Sequence, residues 1–353
     1  MKSVILALLF AVPFTSSAVP TRAPSKAQTE KIIQHNRQTA ILDAAKPSEG
    51  VLSVHRLPFA EYNRAGYLIM SANFPFQSGP VKKGIIKNLP EGVTVVIFVG
   101  ADSKGTKDRI RKKFASLISE DRLKVIYLPG ADGGFWARDG IPVPTVSEDS
   151  NQKLSLVDAK YYHNFEPDER VAKFFKSELL NHDYYFEGGN FMANGLGTCL
   201  VIDNDRVQDI PNSIFSEKYG CKKLVRLPHV KGIGHADESV KFVDDKTVLT
   251  DTESYVPVLE KEGFKVVMLP TPNGRYETYV NSLIIEKKVF LPVFDEEKDQ
   301  DAIRVYEGLG FEVIPLNTES LSNDGLGSIH CITMTYPPGP FDELLKKIGA
   351  QDL

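Results

Sequence analysis

The chain has 353 residues, 42% hydrophobic and 25% charged, with 26 Gly and 22 Pro. These proportions exclude a disordered chain, a collagen and a coiled coil. A formal net charge of −4 and an isoelectric point near 6.0, with no Lys/Arg-rich run, argue against a nucleic-acid partner and suit a cationic substrate.

The N-terminus carries an export pattern. Lys2 precedes an apolar stretch from Val4 to Phe14, and Ser16-x-Ala18 offers the small residues of a cleavage site. The stretch is too short to span a bilayer, and charged or Gly/Pro positions interrupt every later apolar run. Residues 1–18 are therefore expected to be a signal peptide on a secreted or periplasmic protein, free of the membrane after cleavage. Residues 19–50 are polar and partly helical in pattern, break at Pro47 and Gly50, and read as a leader onto a catalytic domain over 51–353.

Short strands then alternate with amphipathic helices. Val93–Val99 is a buried-strand run. Residues 107–120 predict a helix with Ile110, Phe114, Leu117 and Ile118 on its apolar face. Residues 124–128 predict a strand, and 167–180 and 298–309 two further helices. The alternation predicts an α/β architecture. Three cysteines are too few for a disulfide-stapled scaffold. Cys199 reads as a small core residue in an apolar strand, with a bridge to Cys221 left open. No spacing suggests a zinc or calcium site, and no metal or other cofactor is expected.

One element recurs: a short apolar strand leading into a loop with one conspicuous polar residue. The pairs are VIYLP with GFWARDG, DYYF with EGGNF, LVRLP with GIGHADES, VVMLP with RYETYVNS, and EVIPL with GSIHCIT. The polar residues are Asp139, Glu187, His235, Asn281 and Cys331, spaced 48, 48, 46 and 50 residues apart. Near-constant spacing predicts five repeated units, and units arranged around an axis bring five loops to one centre.

A thiol attacks as thiolate, and a His can protonate a leaving group and then activate water. Carboxylates oppose thiolate formation, so three acids beside a nucleophilic Cys make sense when the substrate is a cation that they bind. A planar guanidinium with forked N–H donors matches paired carboxylates. The combination points to thiolate attack on a guanidinium carbon.

GFWARDGIPVP, FEGGN, GHADESVKF, YVNSLII with the downstream VFLPVFD, and GSIHCITMTYP resemble the signatures of the guanidine-modifying (pentein) superfamily. They are most similar to its agmatine deiminase and bacterial, Porphyromonas-type peptidylarginine deiminase branch, over about residues 60–340. The resemblance implies a single domain of five ββαβ units around a pseudo-five-fold axis, an α/β propeller. It implies Cys331 as nucleophile through a covalent thiouronium intermediate. His235 would be acid and then base, and Asp139 and Asp237 would grip the guanidinium. Glu187 would pair with His235. Trp136 would wall the substrate stem, and Asn190 and Asn281 would complete the substrate site. On extended segments, side-chain alternation would turn His330 and Glu238 to the opposite face.

The activity so implied is hydrolysis of a guanidino to a ureido group with release of ammonia, by a hydrolase of carbon–nitrogen bonds in linear amidines. Export favours an arginine-containing peptide or protein as partner; the motif wording is shared with agmatine deiminases, which act on a small guanidino compound. An amidinotransferase, a Cys–His–Asp protease and an inactive secreted binding protein are the alternatives. A protease site needs an oxyanion hole, not clustered acids.

Overall fold

The computed structural model describes residues 19–45, 55–149 and 152–341. The expected signal peptide lies outside them, as does the Pro47–Gly50 break. No helix among the described residues is long and apolar enough to cross a membrane.

In chain order the helices that shape the site are α1 (Lys26–Ala44), α2 (Ser78–Asn88), α3 (Lys104–Phe114), α4 (Ala137–Gly140) and α5 (Asp168–Phe175). The strands are β1 (Arg56–Pro58), β2 (Tyr67–Ser71), β3 (Thr94–Val99), β4 (Leu123–Tyr127), β5 (Val143–Ser147), β6 (Leu154–Lys160), β7 (Glu178–Tyr185), β8 (Met192–Ala193), β9 (Thr198–Asp203), β10 (Lys223–Pro228), β11 (Val240–Phe242), β12 (Thr247–Thr250), β13 (Lys265–Met268), β14 (Leu283–Ile285), β15 (Lys288–Val293), β16 (Glu312–Asn317) and β17 (Met334–Tyr336).

They form five sheets: β17-β2-β3-β4, β1-β5-β6-β7, β8-β9-β10, β11-β12-β13 and β14-β15-β16. Each contains the same motif, a strand pairing antiparallel with one neighbour and parallel with the other, as in β17·β2·β3, β5·β6·β7 and β8·β9·β10. The last parallel strand of each sheet leads to the first antiparallel strand of the next, and β17 returns to pair with β2. The connectivity is cyclic although no sheet closes on itself. The mixed α/β fold agrees with the alternation in the sequence.

Local chemistry explains the elements. In β3, Val95–Val99 are buried on both faces between parallel neighbours, so the strand is a continuous apolar run. Ser103 caps α3 through its hydroxyl, which accepts from the Thr106 N–H. The helix ends at Phe114, short of the expected 120, and Ile118 reaches the core through a turn that bonds back to the Phe114 carbonyl. The helix expected over 167–180 also stops early. Lys176 is left-handed at φ 50°, and Leu179 and Leu180 join β7 in parallel register with Leu156 and Val157 of β6. A ladder on a preformed strand outcompetes another helical turn there. Cys199 and Cys221 form a disulfide, Cα–Cα 5.7 Å, tying β9 to the entry of its parallel partner β10 and resolving the pairing left open by the sequence.

The segment read as a leader is part of the fold. Ser25 and Gln28 form a capping box at the start of α1. The Asn36 amide bonds both backbone groups of Tyr185 (2.8 and 2.9 Å) and the carbonyl of Arg206 (2.8 Å). Docking α1 fixes where residues 19–25 run, and of these Arg22 alone is buried.

Candidate active site

The five spaced residues occupy equivalent places, each between the last strand of one sheet and the first antiparallel strand of the next. Asp139 follows β4 on α4, Glu187 follows β7, His235 follows β10, Asn281 follows β13 and Cys331 follows β16. Asp139, Asp237 and Cys331 contact a single guanidinium, the side chain of Arg22, with His235 beside it and Glu187 on the other side of His235.

Arg22 is completely buried. Its Nε donates to Asp139 Oδ2 (2.7 Å) and its Nη2 to Asp139 Oδ1 (2.9 Å). Nη2 also donates to Asp237 Oδ2 (3.0 Å), and Nη1 to Asp237 Oδ1 (3.1 Å) and Glu238 Oε1 (3.2 Å). Nη1 lies 2.6 Å from Cys331 Sγ. Two carboxylates thus hold the fork in bidentate fashion, with the sulfur beside it. Its main chain is held as well: Arg22 N–H donates to the Gly325 carbonyl (2.9 Å), the Tyr162 hydroxyl donates to the Arg22 carbonyl, and Trp136 Nε1 donates to the Pro20 carbonyl (3.0 Å).

Around Arg22 the other groups take distinct places. His235 lies with Nδ1 3.5 Å from Asp139 and Nε2 3.5 Å from Glu187, neither aligned as a hydrogen bond. Glu187 also faces Arg206 at 3.3 Å. Asn281 contacts Cys331, not the guanidinium: its Oδ1 is 3.1 Å from Cys331 Sγ and its Nδ2 donates to the Asp237 carbonyl (2.9 Å). Asn190 does not reach Arg22. Its amide is used by both backbone groups of Ile202 and by Ala236 N–H (3.1 Å), locking the His235 loop onto β9. Trp136 is fully buried, its ring stacked with Phe76. A Cβ added to Gly327 would lie 2.7 Å from that ring, 3.0 Å from Arg22 Cδ and 3.1 Å from Cys331 Sγ. On Gly189 a Cβ would fall 1.8 Å from Arg22 Nη2 and 2.5 Å from Asp139 Oδ1. Both glycines leave room that the guanidinium and its stem fill.

Two residues expected to face away do not. Glu238 bonds Arg22, and His330 Nδ1 lies 2.8 Å from Asp237 Oδ2. The expectation assumed extended chain. Ala236–Glu238 is instead a tight 3₁₀ turn, and Ser328–Thr333 coils back on itself through Ile332 N–H to the Ser328 carbonyl and Thr333 N–H to the His330 carbonyl. In turns, neighbours share a side.

The electrostatics follow from burial against charge. Burial pushes the Cys331 thiol well up; Arg22 opposes this, while Asp237, Glu238 and Asp139 add to it. Burial also opposes ionisation of Asp237, yet Arg22, His330 and His235 hold it far below the usual carboxylate range. Glu187, despite burial, is held at about 2, chiefly by Arg206 and then His235 and Arg22. Of these groups only the Arg22 guanidinium favours the thiolate, and burial together with the acids outweighs it.

Beneath the site lies a second charged cluster. Glu61 accepts from Arg138 Nη2 (3.0 Å), Lys241 Nζ (2.8 Å) and Ile284 N–H (3.1 Å), and His330 Nε2 approaches to 2.6 Å. His330 thus bridges the two clusters. Elsewhere, Asp158, Glu166 and Asp168 come within mutual ligand distance. Burial first and Asp158 second push Asp168 up to about 9.

Residues 79–337 match the family model of Porphyromonas-type peptidyl-arginine deiminase. The chain belongs to this family. The chain is similar to the C. jejuni agmatine deiminase, at 19% identity over 83% of this chain and 100% of that one, with a TM-score of 0.66. It is likewise similar to the agmatine deiminase of Enterococcus faecalis, at 17% identity over 83% of this chain and 99% of that one, with a TM-score of 0.65. At such identities the likeness is one of fold. Members of the deiminase family are hydrolases of guanidino carbon–nitrogen bonds.

Proposed function

We propose that the protein is an exported deiminase that converts arginine side chains within peptides or proteins to citrulline. One observation carries this reading: the site holds an arginine in a polypeptide, gripping its guanidinium with Asp139 and Asp237 and its main chain through Gly325 and Tyr162. A free amine such as agmatine would use the carboxylates and leave the main-chain partners unused. Agmatine is the second reading, favoured by the fold neighbours.

In the proposed reaction Cys331 attacks the guanidinium carbon, and His235 protonates the departing nitrogen, which leaves as ammonia. His235 then takes a proton from water, which attacks the resulting thiouronium and frees the sulfur. Asp139 and Asp237 fix the cation and Glu238 assists. Glu187 orients His235 from its far side. Asn281 positions the thiol, and Asn190 positions the His235 loop. Trp136 closes the pocket over the stem. A signal peptide over 1–18 fits a target outside the cell. The cyclic order of the five sheets supports an arrangement about one pseudo-five-fold axis, which would explain why equivalent loops meet at one point.

Incubation with an arginine-containing peptide, free arginine and agmatine, following ammonia and the ureido product, tests the substrate. Peptidyl-citrulline without carbamoylputrescine is expected; the opposite pattern moves the assignment to the free amine.

A further inference from the structure

The guanidinium in the site is supplied by the chain itself, and it blocks the site it occupies. Every donor on it faces Asp139, Asp237, Glu238 or Cys331. No other side chain presents a guanidinium to Cys331 among the contacts of the described residues. Resting on the deiminase reading, we propose that Arg22 is the enzyme's own first substrate: Cys331 converts it to citrulline, and this opens the site to arginine in other chains.

The surroundings of Arg22 go beyond those of a structural ion pair. A structural arginine is surrounded by acceptors, whereas Arg22 also meets a nucleophilic sulfur at 2.6 Å and has His235 on its Nη2 side, where the Gly189 gap brings both groups together. The step balances without any added reagent except water. Sγ bonds to Cζ, the Cζ–Nη2 bond breaks, and the nitrogen leaves as ammonia with a proton from His235. Water then gives its oxygen to Cζ, one proton to His235 and the other to the released ammonia, and the S–C bond breaks to return the thiolate. The net change is an arginine side chain and water to citrulline and ammonium.

The product holds less well. Citrulline is neutral, so the ion pairs to Asp139 and Asp237 are lost and only hydrogen bonds from neutral donors to the carboxylates remain. An oxygen also replaces a donor that faced a carboxylate. Residues 19–25 are otherwise held by main-chain hydrogen bonds, among them those to Gly325, Tyr162 and Trp136, and by packing of Val19, while α1 stays docked through Asn36. Loss of the charge therefore releases the short segment without unfolding the domain.

The test uses the purified full chain, incubated without substrate and sampled over time. The Lys-C peptide ending at Lys26 reads position 22 by mass spectrometry, and ammonia release from an arginine peptide is followed in parallel. Expected are citrulline at position 22 in the wild type, formed at a rate independent of protein concentration, and unmodified arginine there in Cys331→Ala. Wild-type turnover of the added peptide should show a lag that ends as Arg22 is consumed. Arg22→Ala should start without the lag, at an initial rate about tenfold or more higher. A wild type that deiminates the added peptide while Arg22 stays intact overturns the inference and leaves the deiminase reading standing. A self-modification rate that rises with protein concentration overturns the intramolecular step. If neither the wild type nor Arg22→Ala hydrolyses any guanidine, the deiminase reading fails and the inference with it.

Discussion

Two buried charge clusters lie a side chain apart and solve opposite problems. Around Glu61 the cations are fixed: Arg138, Lys241 and His330 all come from the folded domain. Around Asp139, Asp237 and Glu238 the central cation arrives on residues 19–25, a segment held by a few main-chain bonds. A cluster whose ions all belong to the folded domain leaves no place for an outside ion. A cluster that lacks its cation when the segment leaves is a binding site. His330, touching Glu61 and Asp237, is where the permanent cluster holds the exchangeable one in place.

Variants at the two clusters should therefore separate activity from stability. The largest effect is expected at the proposed nucleophile. Cys331→Ala removes the atom proposed to bond to the guanidinium carbon, and turnover of an arginine peptide should fall by at least about 10⁴-fold. The thermal midpoint should move little, because the sulfur contributes modest packing. A Cys331→Ala protein with substantial residual ammonia release would place the chemistry elsewhere.

Next comes Glu61→Ala in the permanent cluster. It leaves Arg138 and Lys241 buried without their anion, and breaking such a pair costs about 3–5 kcal/mol. The denaturant midpoint should drop accordingly, and activity should follow the fraction folded. A variant that stays fully stable yet loses turnover would erase the distinction between the clusters.

The sequence made much of the exchangeable cluster legible and almost none of its occupant. Spacing alone singled out Asp139, Glu187, His235, Asn281 and Cys331, because each lies after the last strand of a sheet and the repeat preserves that place. His330 and Glu238 were misplaced because alternation belongs to extended chain, and the loops are turns. Arg22 carried no periodic signal. Its only local mark is that Pro20 and Pro24 flank it, which biases the residues before them toward an extended, insertable conformation. The docking that gives Arg22 its meaning comes from contacts with Gly325 and Tyr162, far away in the chain.

Glu187 joins both behaviours and predicts a pH dependence of known sign. Its pKa is lowered from 4.5 to about 2 in the folded chain. The stability it contributes is complete above pH 4.5 and is lost as pH falls through about 2. Glu187→Gln should flatten the acid limb of the stability curve in that window, by about 1–3 kcal/mol. Turnover should fall as well, because His235 loses its anionic partner. Superimposable acid limbs would mean that Arg206 does not hold Glu187 ionised.

The smallest effect is expected at Asp168, which shows what this fold does with an acid that has no cation. Burial and the neighbouring Asp158 raise it from 3.8 to about 9, so it keeps a proton at neutral pH. The sign is the reverse of Glu187: stability is fullest below pH 3.8 and declines as pH rises toward about 9. Asp168→Asn keeps a donor toward Asp158 and removes the titration. The variant should match the wild type in acid and exceed it by about 1–2 kcal/mol near pH 8, after allowance for the coupling of the two acids. Stability curves running parallel from pH 4 to 9 would show that Asp168 is ionised. The same physics governs the site acids once residues 19–25 depart. Without a guanidinium the clustered carboxylates of Asp139, Asp237 and Glu238 repel one another, and the next cation to enter relieves that repulsion.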